Sequence, residues 1–80
     1  MYYVYLLKLN NGKIYTGSTP NLDERVLEHK NGYCKSTKDS RPVKLLWHCC
    51  FEDRIIARRF ENYLKKGSGQ AFRNKHLIDS

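Results

Sequence analysis

Apolar and aromatic positions dominate about Tyr2 to Leu9 and recur over about Lys13 to Ser18, and in a strand Tyr3, Tyr5 and Leu7 would lie on one side and Val4, Leu6 and Lys8 on the other. Val, Ile, Thr and Tyr suit a pleated surface, so both runs are predicted to be strands. Asn10-Asn11-Gly12 between them is a strong hairpin signal. The turn decides what the tyrosines can do. A two-residue Asn11-Gly12 turn opposes residue 10 to residue 13 and sends Tyr5 and Tyr15 to opposite faces. A three-residue turn with Gly12 at positive φ opposes 9 to 13 and places both on one face. A shared tyrosine site requires the odd-length loop or a bulge.

Helical periodicity begins after Thr19-Pro20. Asn21 is a good N-cap, Glu24 stands where a capping-box acid would, and Gly32 is the stop. On this helix Leu22 and Val26 form the expected buried stripe, with Arg25 and His29 together on its flank as an i,i+4 pair. Residues 33–42 lack apolar periodicity and read as a basic loop. Val43 to Phe51 reads as a third, well-buried strand, with Pro42 at its entry. After Glu52-Asp53 a second helix is expected to about Lys66, with Ile56, Ala57, Phe60, Tyr63 and Leu64 as its core face and Gly67 as its stop. Ser68 is positioned to cap a short third helix through Ala71, Phe72, Lys75, His76 and Ile78, a tail expected to cover one side of the sheet.

Charge changes the picture from fold to partner. The 80 residues carry 15 basic against 8 acidic side chains, a formal charge of +7. The excess is concentrated in residues 41–80, with nine basic against four acidic, compared with six against four in residues 1–40. Such a balance favours a polyanion, nucleic acid before a membrane surface. The length suits one domain spanning residues 1–80. No apolar run approaches the ~18 residues of a membrane span and no signal-peptide pattern opens the chain, so a cytoplasmic protein is expected; a monomer is expected as well. Cys34, Cys49 and Cys50 are expected as reduced thiols. With His48 they lack the spacing of a zinc site, and that reading is set aside.

Candidate chemistry follows from the basic segments. The cations of the connector, Lys35, Lys38 and Arg41, and those of the second helix, Arg58 and Lys65, are candidates to hold phosphates. Between Arg54 and Lys75 seven Lys or Arg residues accompany a single acid, Glu61, at the margin of the apolar arc. Helical pairing with Lys65 and Arg58 accounts for it plainly. The sharper reading is a carboxylate that holds a hard divalent cation against a phosphate.

Tyr3-Val4-Tyr5, Tyr15-Thr16-Gly17, Asn21-Leu22 with Arg25 and His29, Arg41-Pro42, and Ala57, Glu61 and Lys65 at four-residue spacing occur in order along the chain. Together they resemble the GIY-YIG nuclease superfamily, and most nearly its small stand-alone bacterial group of the UPF0213 type. The resemblance spans Tyr2 to about Lys66. It implies an α+β fold of order β-β-α-β-α-α, a three-stranded antiparallel sheet flanked by helices, and metal-dependent hydrolysis of DNA phosphodiesters. It assigns Tyr5 and Tyr15 to the two motif tyrosines, Arg25 to the helix arginine, His29 to the position often filled by His or Tyr, and Glu61 to the ligand of Mg²⁺ or Mn²⁺. There are departures: Tyr3, Val4 and Thr16 replace motif residues, and Ser18 stands where excision-repair relatives carry lysine. Asn74 is a weak candidate for a late asparagine.

The resemblance implies that Glu61 holds the metal, Arg25 neutralises phosphoryl charge and a tyrosine takes the proton of the attacking water. A phenol, with a reference pKa of ~10, needs a cationic environment or metal-water contact for that task. Either Tyr5 or Tyr15 fits, with His29 orienting or relaying. The alternative is a non-catalytic nucleic-acid-binding or interaction module on the same scaffold. Its partner would be structured or single-stranded DNA, or a protein that directs it to a target.

Overall fold

The computed structural model describes residues 1–78. In chain order it has β1 (Tyr2–Lys8), β2 (Ile14–Thr19), α1 (Leu22–Lys30), a 3₁₀ turn at Lys38–Ser40, β3 (Lys44–Phe51), α2 (Arg54–Leu64) and α3 (Gly67–Phe72), which continues into a π-helical turn at Arg73–Leu77. The sheet is antiparallel throughout, in the order β2-β1-β3. This is the expected α+β architecture. Among the described residues no helix is long and apolar enough to cross a membrane.

The central strand β1 buries both faces, as its Val4-Tyr5-Leu6-Leu7 run requires. Val4 and Leu6 pack with Ala57 and Leu64 of α2, and Leu77 and Ile78 close over the same cluster, so the tail covers this face as expected. Tyr5 and Leu7 pack on the other face with Val43, Tyr15, Leu22 and Leu45. Helices α1 and α2 thus cover opposite faces of a narrow sheet.

Four expectations need correction. β3 is a half-buried edge strand, with His48 and Cys50 exposed. Its apolar run is explained by a bulge: Leu6 pairs with Trp47 but Leu7 with Leu45, leaving Leu46 extra. That extra residue inverts the alternation, so Leu45 joins the Tyr5 face while Trp47, Cys49 and Phe51 stay on the Val4 face. On α1, the buried side chains are Val26 and His29, whereas Leu22 is half-buried. His29 leaves the flank because both ring nitrogens find partners inside.

On α2, Ile56 and Tyr63 are 47% and 45% exposed. The inward arc runs through Ala57, Phe60, Glu61 and Leu64, because the sheet is narrower than the apolar arc and Glu61 finds a partner on β2. Ser68 is not a cap: α3 begins at Gly67 with Lys66 as N-cap and no side-chain hydrogen bond there. Gly69 decides this junction, since any Cβ there would collide with the Tyr63 carbonyl.

Candidate active site

The hairpin makes the odd-length turn. Leu9 N–H donates to Lys13 O at 2.9 Å, Gly12 N–H donates to Leu9 O at 3.0 Å, and Gly12 has φ +84°. Leu7 then opposes Tyr15 and Tyr5 opposes Gly17, so both tyrosines lie on one face with ring centroids 6.3 Å apart. Gly17 makes this fit. A Cβ there would lie 2.5 Å from Tyr5 Oη and 3.1 Å from Tyr15 Cε2.

Behind the rings is a buried chain of hydrogen bonds. Tyr5 Oη and His29 Nε2 are 2.9 Å apart, and His29 Nδ1 and Thr37 Oγ1 are 2.7 Å apart. Tyr5 is 1% exposed; His29 and Thr37 are fully buried. Burial, reinforced by the neighbouring Tyr15, holds the Tyr5 phenol well above its ordinary pKa, and Arg25 only partly offsets this. Burial, helped by the Arg25 charge and opposed by Glu28, holds His29 below its ordinary 6.5. At Tyr5 the cationic environment that a phenolic base needs is therefore outweighed by burial. A neutral phenol donating to Nε2 leaves Nδ1–H to donate to Thr37.

The open side of the site lies at the free edge of β2. Ser18, on the α2 face, donates from Oγ to Glu61 Oε1 at 2.5 Å, and Lys65 Nζ stands 2.6 Å from Glu61 Oε2. The helical pair foreseen with Lys65 is present, and it leaves Glu61 only 13% exposed. Arg25 Nε lies 3.0 Å from Glu28 Oε1, but its N–H does not point along that line, so the contact is ion pairing without a hydrogen bond.

A cavity of about 320 Å³ joins the two sides, lined by Tyr5, Tyr15, Gly17, Ser18 and Arg25 together with Arg58, Glu61, Asn62 and Lys65 of α2. Arg25 also borders two neighbouring cavities, one of about 590 Å³ reaching Lys35 and one of about 370 Å³ reaching Arg54 and Arg58. Seven of the ten anticipated side chains therefore border one or other of these spaces, and His29 stands directly behind Tyr5. Lys38 and Arg41 stand elsewhere: Arg41 Nε donates to Lys38 O at 2.9 Å, and its guanidinium lies over Gly32.

Comparison with known proteins identifies the family. The sequence model of the GIY-YIG catalytic domain matches residues 1–75. The chain belongs to the GIY-YIG family. A UPF0213 protein of Clostridium perfringens is 43% identical over 67 residues, covering 82% of this chain and 72% of the relative. A UPF0213 protein of Staphylococcus saprophyticus is 34% identical over 70 residues, covering 86% and 85%. The solution NMR structure of a UPF0213 protein from Bacillus halodurans superposes with a TM-score of 0.58 at 31% identity, over 94% of this chain and 82% of that one.

Within this GIY-YIG domain Glu61 is the carboxylate of the cavity, and among the described residues no three His, Cys, Asp or Glu side chains group into a metal cluster. That donor set fits a hard cation that keeps several waters and is shared with a phosphate, as Mg²⁺ or Mn²⁺ would be, and does not fit a closed protein cage. Three residues of the candidate site escaped sequence reasoning. Thr37 sits in a polar loop of ordinary appearance, Asn62 is one more polar residue on a charged helix, and Ser18 was noted only for the lysine it replaces. Asn74 accepts from Arg73 Nε at 3.1 Å and does not border the cavity.

Proposed function

We propose that this GIY-YIG domain is a metal-dependent endonuclease that hydrolyses phosphodiester bonds in DNA. One observation carries the reading: a single polar cavity gathers two phenols, a guanidinium, a carboxylate and further cations from four separate elements. Arg25 is suited to donate to the non-bridging oxygens and offset charge that builds on the phosphoryl group. Arg58 and Lys65 extend the positive surface that aligns the strand. Both phenols border the cavity, but Tyr15 is half-buried whereas Tyr5 is 1% exposed and kept neutral by that burial. Tyr15 is therefore the group that takes the proton of the attacking water, and Tyr5 with His29 fixes the geometry around it. Glu61, released from Lys65, would hold Mg²⁺ or Mn²⁺, which supplies Lewis-acid polarisation of the phosphate and stabilises the leaving oxygen.

A second reading is favoured by one feature. Both oxygens of Glu61 are already engaged by Ser18 and Lys65, which suits a domain that binds nucleic acid without cutting it. The test is incubation of labelled single-stranded, duplex and branched DNA with Mg²⁺ or Mn²⁺ and with EDTA, alongside Glu61→Ala and Arg25→Ala. The nuclease reading expects cleavage that EDTA and either substitution abolish. Undiminished cleavage by folded Glu61→Ala overturns the mechanism. Salt-sensitive binding in EDTA with every substrate left intact favours the binding module.

A further inference from the structure

The cavity of about 590 Å³ that adjoins the proposed catalytic one is bordered by Tyr15, Arg25, Glu28, Tyr33, Lys35 and Ser36. Its outer wall, residues 33–36, is anchored at both ends. At the near end α1 closes with a pair of reverse bonds: Gly32 N–H donates to His29 O at 3.2 Å and Tyr33 N–H donates to Glu28 O at 2.9 Å, with Gly32 at φ +81°. This is the Schellman arrangement, in which the residue in Tyr33's place commonly packs against the helix's last turn. Here Leu27 and Glu28 are available for that packing, yet Tyr33 is 78% exposed and Leu27 57%. At the far end Thr37 is fully buried on His29, and its N–H donates to Cys34 O at 3.1 Å. The backbone of the wall is thus fixed while its aromatic ring stays free of the fold.

We propose that this cavity is a subsite for one unpaired nucleotide next to the phosphodiester held at Arg25 and Glu61. The proposal rests on the nuclease reading and names its substrate class: a strand with an unpaired nucleotide at the cut, whether single-stranded, gapped or branched. The base stacks on the Tyr33 ring, Lys35 and Ser36 meet its phosphate and sugar, and the Glu28 carboxylate accepts from amino or imino N–H groups on the base edge. The volume suits a nucleotide. A paired base inside a duplex has no free face to offer the ring, so the subsite discriminates against intact duplex. Because the wall is already ordered, little conformational freedom is lost on binding.

The test measures equilibrium binding by fluorescence anisotropy in EDTA, so that cleavage plays no part. Wild type, Tyr33→Ala and Tyr33→Phe are titrated with a single-stranded oligodeoxynucleotide, with an abasic strand of equal length, and with duplex. Tyr33→Ala is expected to weaken single-strand binding about tenfold, to leave the abasic strand and duplex within about twofold, and to be reversed by Tyr33→Phe. A 2-aminopurine strand is expected to lose fluorescence on wild type but not on Tyr33→Ala. Tyr33→Ala binding the single strand as tightly as wild type overturns the subsite, as does an equal loss on the abasic strand. In either case the nuclease reading stands on its own cleavage assay. Wild type that binds none of the three also overturns the subsite, while the metal-dependent cleavage assay alone decides the nuclease reading.

Discussion

Two regions meet in the cavity, and they are built on opposite principles. The chain Tyr5–His29–Thr37 is dry: its three side chains are at most 1% exposed, neutral and mutually hydrogen-bonded. The cluster Ser18–Glu61–Lys65 is charged and reaches solvent through Lys65, which is 47% exposed against 13% for Glu61. Neighbouring positions of β2 feed both, since Gly17 admits the Tyr5 ring on one face and Ser18 reaches Glu61 on the other. A buried, satisfied chain is costly to break and holds geometry. An open ion pair contributes little to stability and can exchange partners. The first region should therefore govern folding and the second chemistry.

The strongest way to break that division is to exchange the effects. Glu61→Gln is expected to lower metal-dependent cleavage by roughly 10²–10³-fold, the scale of losing a transition-state electrostatic partner. Its urea midpoint should move by no more than about 1 kcal/mol equivalent, because the partner Lys65 is half exposed and screened. His29→Leu should do the reverse in the stability assay. It strands Tyr5 Oη and Thr37 Oγ1 in the interior, at roughly 1–3 kcal/mol for each unsatisfied group. A Glu61→Gln variant that unfolds, or a His29→Leu variant as stable as wild type, would erase the distinction.

Residues that fall in motifs were legible in the sequence in both regions, and their unmarked partners were not. Tyr5, Tyr15, Arg25 and Glu61 fall in motifs whose spacing survives in a one-dimensional string, and Asn10-Asn11-Gly12 marks the turn that sets their register. Thr37 carries no such mark. Its importance comes from a contact eight residues back, made because the loop folds under α1, and no periodicity reports it. His29 was visible as a neighbour of Arg25 but not as a buried residue, since burial depended on Tyr5 and Thr37 both arriving. The bulge at Leu46 and the turn of α2 toward Glu61 were hidden for a related reason. Each is decided by how much sheet there is to cover, which only the assembled strands determine.

Gly17 tests the seam between the regions. Alanine there places a Cβ 2.5 Å from Tyr5 Oη and 2.6 Å from Cζ, and the ring cannot retreat while His29 holds it. Overpacking of this kind costs about 1–3 kcal/mol, read as a lower thermal midpoint. Adding Tyr5→Phe removes the Oη contact but keeps Cζ, so the double variant should recover only part of the loss. Simple additivity of the two substitutions would mean that the ring is free to move and the dry region is not rigid.

The smallest effect is in pH. His29 titrates below its ordinary 6.5 in the folded chain, because burial and then Arg25 disfavour its charge while Glu28 only partly compensates. Above 6.5 neither the folded nor the unfolded chain protonates this ring, and it contributes no slope. As pH falls below 6.5 the unfolded chain binds a proton that the folded chain refuses, so stability declines until the folded value is reached. The slope is at most about 1.4 kcal/mol per pH unit. Urea midpoints of wild type should fall between pH 7 and 5.5 more steeply than those of His29→Gln, which cannot titrate and can hydrogen-bond to Tyr5 or Thr37. Parallel curves would show that His29 accepts its proton without disturbing Tyr5 and Thr37. The dry region would then be as exchangeable as the open one.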